Sequence, residues 1–272
     1  MMRAVRCCAV LAAGSALAVA CASFSSDATP TPGPSDAAPS DASTGDAGTT
    51  DASSPDAPSG PFCASLTPKP IFCVDFDEDP SAATGFDEEL GTVALDSRFV
   101  VSAPASLLAL TVDGGGTPES ISRLGRTLTS GTTSQKVSFM IRLGDDDGGN
   151  PPQTPYGIVL RLIVDGWNVD LDVANAGLGY LDFLLQYPDG GAQDDRVTLL
   201  RRPPPGVWTK VELRLTTTGG NVRAELDIGG QPAIDPYTSL IPKLSSSPRI
   251  YLGLIYSSNA VVRYDNVVFD GN

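Results

Sequence analysis

The chain has 272 residues, 32 acidic against 18 basic side chains, a net charge of −14 and no histidine. So acidic a surface repels phosphate backbones and anionic headgroups, which argues against a nucleic-acid partner. The missing imidazole removes the commonest general base and the commonest transition-metal ligand.

Met1 to Cys21 reads as an export signal. Arg3 and Arg6 precede an uninterrupted small and apolar run, Ala9 to Ala20, which is too short to span a membrane as a helix. The run ends in Ala18-Val19-Ala20-Cys21. This resembles the lipobox of bacterial lipoproteins, although that family more often has Leu where Ala18 stands. The resemblance implies cleavage before Cys21 and its diacylation, so that a lipid anchors the mature chain to the membrane. The alternative is an ordinary signal peptide cut nearby. Ala22 rather than Asp after the cysteine implies, by the same resemblance, the outer membrane or cell surface in a host with two membranes.

Residues 22–60 contain one aromatic side chain, Phe24, and consist mainly of Ala, Ser, Asp, Pro, Thr and Gly. Asp36, Asp41, Asp46, Asp51 and Asp56 recur every five residues, each followed by Ala. A segment this polar cannot bury enough apolar surface to offset its ordering entropy, so a disordered linker is expected. As a random coil it spans roughly 35 Å. It serves as a tether between an anchor and a folded domain that starts at residue 61. About 210 residues then remain for one sandwich-sized domain.

Of the five cysteines, Cys7 and Cys8 lie in the signal and Cys21 is the lipidation site. Cys63 and Cys73 remain, and in an exported domain such a pair is expected as a disulfide. Metal binding by two cysteines without histidine is the weaker alternative.

From Ile71 onward the chain is a succession of short β signals, at 71–77, 106–112, 121–128, 135–143, 157–164, 168–173, 179–187, 196–200, 249–256 and 261–270. Turn clusters separate them. The clearest signal is the hairpin from Gly206 to Gly230. Val207, Val211, Leu213 and Leu215 share one face and Trp208, Lys210, Glu212 and Arg214 the other. Val222, Ala224, Leu226 and Ile228 repeat the pattern after Gly219-Gly220, which supplies the positive φ of a tight reversal. A helical turn is expected only over 238–244, limited by Pro242. Strands with one apolar face need a second layer, so the expectation is all-β, a two-sheet antiparallel sandwich. The first and last strands are expected to pair, because the apolar strand at 261–270 is otherwise an exposed edge.

Several motifs resemble the concanavalin A-like lectin/glucanase group, and within it the laminin G-like jelly rolls of secreted bacterial proteins. They are Cys73-Val74-Asp75-Phe76-Asp77, Ser102 to Leu107, Gly206-Val207-Trp208 with Val211 and Leu213, Gly229-Gly230, and Tyr264-Asp265-Asn266-Val267. The resemblance covers almost all of 62–272 and implies a jelly roll, in many members with a carbohydrate-binding face.

Retaining glucanases of this fold carry E-x-D-x-x-E on one strand, with alternate carboxylates sharing a face. Here Glu225 and Asp227 match, but Gly230 stands where the acid/base belongs, so the pair is expected as the solvent face of a hairpin and the domain as non-catalytic. Carboxylates drawn from separate strands remain a possibility that spacing does not reveal. By resemblance, Asp75, Asp77 and Asp265 are candidate ligands for a structural calcium, the alternative being carboxylates bonded to backbone amides. The run 145–150 lacks the alternation of a calcium loop and reads as a solvated turn. Sugar faces present aromatic rings with Asn or Asp beside them, which singles out Trp167 with Asn168 and Asp170, then Trp208 and Tyr180. The expected role is carbohydrate binding at the cell envelope; a structural or protein-interaction module is the alternative.

Overall fold

The computed structural model describes residues 61–77, 81–111, 120–144, 157–173, 179–186, 192–257 and 260–272. The expected export signal, Cys21, the 22–60 tether and the acidic turn at 145–150 lie outside them.

One helical turn, α1 (Phe62–Ser65), is followed by β1 (Phe72–Val74), β2 (Glu88–Leu90), β3 (Thr92–Asp96), β4 (Ser106–Thr111), β5 (Ser120–Thr127) and β6 (Ser134–Leu143). Next come β7 (Gly157–Val164), β8 (Trp167–Val173), β9 (Tyr180–Gln186), β10 (Ala192–Thr198), β11 (Thr209–Thr218) and β12 (Asn221–Ile228). Last are β13 (Gln231–Pro232), β14 (Tyr237–Thr238), β15 (Arg249–Ser257) and β16 (Ala260–Gly271). A nine-stranded sheet runs β13-β12-β11-β6-β16-β4-β3, with β1 on β16 and β14 on β12. A seven-stranded sheet runs β10-β9-β8-β7-β15-β5-β2. Every pair of strands is antiparallel, as a sandwich of this kind requires.

Period-two patterning builds the two layers. In β6, Gln135, Val137, Phe139 and Ile141 are buried while Lys136, Ser138 and Met140 between them are half-exposed. Leu160, Leu162, Leu171, Phe183 and Leu252 meet them from the seven-stranded sheet in one core. Tyr264 of β16 ties the layers together. Fully buried, it donates its hydroxyl hydrogen to the Val159 carbonyl at 2.5 Å and accepts from the Gly253 N–H at 3.2 Å.

The β11–β12 hairpin forms as expected, with Thr218 opposite Asn221 and Gly219 and Gly220 at φ of 62° and 87°. Nothing lies within 4 Å of where their Cβ atoms would be, so positive φ rather than space demands glycine there. Val207 departs from its expected face. It precedes the strand and is exposed, and Thr209 takes the first buried position. The helical turn expected over 238–244 is absent; Tyr237–Thr238 pairs instead with β12, and the one helical turn is α1. The strand expected at 196–200 starts earlier, at Ala192.

Besides the short β13 and β14, two further strands were not expected, β2 and β3. They belong to different sheets, β2 pairing with β5 and β3 with β4. The chain crosses between layers at Gly91, whose φ is 79° and whose added Cβ would lie 1.9 Å from the Ile121 carbonyl oxygen.

The first and last strands do pair, Phe72 opposite Phe269 and Val74 opposite Val267. β16 keeps β6 on one side, while its other side is shared by β4 for Ala260–Tyr264 and β1 for Val267–Phe269. Where it changes partner it bulges, with Asn266 at φ of 52°. Near that junction Arg263, wholly buried, places Nε 2.7 Å from Asp96 Oδ2, and its Nη1 donates to the Gly144 carbonyl at 3.1 Å. The guanidiniums of Arg263 and Arg142 lie 4.6 and 4.4 Å from the centre of the Phe99 ring.

Candidate functional site

Cys63 and Cys73 form the expected disulfide, with Cα atoms 5.7 Å apart. The loop it closes walls a groove of about 520 Å³ on the outer face of the nine-stranded sheet, between Phe62, Leu66, Pro68, Met140 and Val268. The charged side chains there are matched among themselves, Lys136 with Asp270 at 3.8 Å and Lys210 with Glu212 at 3.5 Å. Although it is the larger groove, it leaves no uncompensated charge to select a ligand.

Asp75, Asp77 and Asp265 lie beside the junction in β16, but facing N–H donors. Asp75 accepts from the N–H of Cys63 at 3.1 Å and of Asp77 at 3.4 Å, and Asp77 accepts from Ala105 N–H at 3.0 Å. Asp265 accepts from the N–H groups of Val101, Ser102 and Asn266 at 2.8, 3.0 and 2.8 Å, and from the Ser102 hydroxyl at 3.0 Å. Burial pushes the Asp265 carboxyl up to about 6, against the pull of those donors. Calcium needs several oxygens with free lone pairs turned to one point. Among the described residues no group of three or more acidic or cysteine side chains is gathered that way, and each of the three carboxylates accepts from backbone N–H groups.

Glu225 and Asp227 stand on the outward face of β12. Glu225 is 41% exposed and paired with Arg214 at 3.6 Å and Arg223 at 3.3 Å, while Gly230 lies in a turn at φ of 73°. Asp227 stands opposite Glu212, which lines the 520 Å³ groove of the same face, but neither Glu225 nor Asp227 is part of that lining.

Trp167 is corrected. The tight turn at Asp165 and Gly166, φ of 48° and 84°, pairs Val164 with Trp167 and sends the indole into the core, where it is 5% exposed. It offers no ring face to a sugar. Its neighbours take the other parity: Asn168, Asp170 and Asp172 point outward from β8 between buried Val169, Leu171 and Val173.

That outward row opens a groove of about 270 Å³ on the seven-stranded sheet, lined by residues of β7, β8, β9, β10 and β15. Two forked ion pairs organise it. Arg161 holds Asp170 through Nε at 2.8 Å and Nη2 at 2.7 Å, and Arg196 holds Asp182 at 2.6 and 2.9 Å. The Arg196 guanidinium also lies 4.7 Å from the Tyr180 ring centre. Ile158 and Leu184 supply apolar surface over buried Ile255, and Asp172, Asp194 and Gln186 also line the groove. Burial raises the carboxyls of Asp170 and Asp182 above the ordinary value in spite of their arginines. Asp172 is raised by burial and then by the charge of Asp182.

Of the residues expected at a sugar site, Asp170 lines this groove and Asn168 shares its face; Trp208, half-buried, is not among the groove's lining. Sequence reasoning missed Arg161, Asp172, Asp182 and Arg196. The signal was available in Asn168-x-Asp170-x-Asp172 and Tyr180-x-Asp182, polar side chains at every second position of otherwise apolar strands.

No protein-family model and no curated protein matches the chain. Among solved structures it is similar to the botulinum neurotoxin serotype G binding domain, at 12% identity and a TM-score of 0.43, covering 75% of this chain and 48% of that one. The chain thus spans about half the length of that domain. It is also similar to the endo-1,3-β-glucanase of Streptomyces sioyaensis, at 10% identity and a TM-score of 0.47, covering 75% of this chain and 96% of that one. A third is the carbohydrate-binding module CBM66 of Bacillus subtilis, at 14% identity and a TM-score of 0.37, covering 70% and 98%. Similarity at this level speaks to architecture at most, and the sandwich itself is established by the chain's own strand pairing.

Proposed function

We propose that this chain is an exported, lipid-anchored cell-envelope protein whose β-sandwich holds carbohydrate, without turning it over, on the outer face of the seven-stranded sheet. The supporting observation is the groove itself. It sets two forked ion pairs, of which Arg196 is half-exposed, beside apolar side chains, the mixture that a sugar with hydroxyl edges and an apolar ring face requires. At about 270 Å³ it lies just below the ~300–1,000 Å³ of small-ligand sites, room for part of a chain rather than a whole oligomer. Asp170 and Asp182 each have both oxygens held by a guanidinium, which leaves neither free to attack a glycosidic bond or to hand over a proton.

A glycan array probed with the full chain tests this reading. Binding to at least one polysaccharide is expected. No binding across neutral, acidic and amino glycans refutes it and leaves a structural or protein-interaction role. The anchor rests on Ala18 to Cys21: Cys21→Ser is expected to release the protein from membranes, and unchanged partitioning refutes the anchor. Among the described residues no helix is long and apolar enough to cross a membrane.

A further inference from the structure

Among the described residues the charges in the groove do not cancel. Arg161 is committed to Asp170 and Arg196 to Asp182, each through two hydrogen bonds. Asp172 and Asp194, on the same lining, have no ion pair among the described residues. Asp172 Oδ1 is shut off from solvent and has no hydrogen-bond partner. Because a carboxylate's charge is shared by both oxygens, a cation reaching the other oxygen would compensate this one too. The local field is already negative: burial and then the charges of Asp182 and Asp170 hold the Asp172 proton more tightly than usual, against the pull of Arg196.

A neutral hydroxyl meets such a site with a dipole, whereas an ammonium brings a full opposite charge and three donors. A uronate or sulfated sugar would add a like charge to a groove that has two to spare. Ile158 and Leu184 meanwhile provide a partly exposed seat for a ring with an apolar face, which a flexible aliphatic amine lacks.

We infer that the groove selects a cationic glycan, a chain of amino sugars whose free amines are protonated, with the ammonium set against Asp172 and Asp194. This rests on the carbohydrate reading above. It differs from it in claiming that charge, and not ring shape alone, decides which sugar is taken.

The test is calorimetric titration of the full chain with oligomers of equal length: glucosamine, N-acetylglucosamine and galacturonic acid, with oligolysine as an ionic control, at about pH 6 where free amines are charged. The glucosamine oligomer is expected to bind about tenfold or more tighter than its N-acetylated counterpart. That ratio is expected to shrink between about 20 mM and about 0.5 M salt, and to approach one in the Asp172→Asn/Asp194→Asn double variant. Should the double variant not fold, Asp194→Asn alone, exposed on the edge strand, is expected to reduce the ratio. Equal binding of the N-acetylated oligomer or the uronate overturns the inference and leaves the carbohydrate reading standing. Oligolysine binding as tightly as oligoglucosamine overturns it too, because the groove then reads charge without sugar. If no sugar binds, both readings fall.

Discussion

Replacing Arg263 by Met keeps the length and bulk of the side chain and deletes its charge. The loss includes the 2.7 Å contact to Asp96, the 3.1 Å bond to the Gly144 carbonyl and the guanidinium facing Phe99. Asp96, 6% exposed, keeps the Arg98 N–H at 2.9 Å and the solvent-facing Arg98 side chain at 3.4 Å, which only partly compensate its charge. Removing one partner of a buried pair costs about 3–5 kcal/mol. In a domain of this size each kcal/mol lowers the melting temperature by about 2–4 °C, so the fall is roughly 6–20 °C. The double variant Arg263→Met/Asp96→Leu removes the stranded carboxylate and is expected to recover most of the loss, since an apolar replacement of a buried pair is often neutral. Urea and thermal unfolding followed by circular dichroism, run as a double-mutant cycle, measure both effects. A single variant within about 1 kcal/mol of the parent, or a double variant no better than the single, refutes the account.

Three further outcomes are expected. The Asp265 carboxyl holds its proton to about 6 in the fold against 3.8 as the ordinary value, so the folded state binds more protons between those limits. Stability should therefore fall by about 3 kcal/mol as pH rises from about 4 to about 6, a slope that Asp265→Asn removes; a parent curve flat across that window contradicts it. Reducing the Cys63–Cys73 bond, which closes a loop over a separation of 10 residues, should cost about 3 kcal/mol in urea unfolding; midpoints that coincide with and without reductant contradict this. Deleting residues 267–272 removes buried Val267, Val268 and Phe269, each contributing about 1.5–3 kcal/mol, and is expected to unfold the domain as a whole. A truncated chain melting at the parent temperature contradicts it.

The parts of the fold readable from residue order alone are those where one signal sufficed. Alternation and a Gly-Gly reversal define β11 and β12, and the apolar character of β16 demands a partner, which β1 supplies. The pair β2 and β3 was hidden because Glu88–Leu90 is short, largely exposed and too brief for a period to show, and because Gly91 reads as a simple turn when it is a crossing between sheets. At the site, Asp170 was reached through its neighbour Trp167, whose face was misjudged; the strand's own parity places the indole inside with Val169 and Leu171. Arg161, Asp182 and Arg196 come from three other strands, and their convergence depends on the registers of β7, β8, β9 and β10, which no local pattern encodes.

The position of β16 bears on how the chain can be made. Emerging N-terminus first, β1 has no strand to join until β16 arrives, since Phe72 pairs with Phe269. β4 can pair earlier with β3, and β6 with β11, but only this late strand joins those two halves of the sheet. The nine-stranded layer is thus assembled from its middle last, and Tyr264, which bolts that layer to the other, arrives at the same moment. The β7–β10 meander and the β11–β12 hairpin can pair as they appear, yet the nine-stranded layer stays in two halves until its last strand arrives and closes it in one late step.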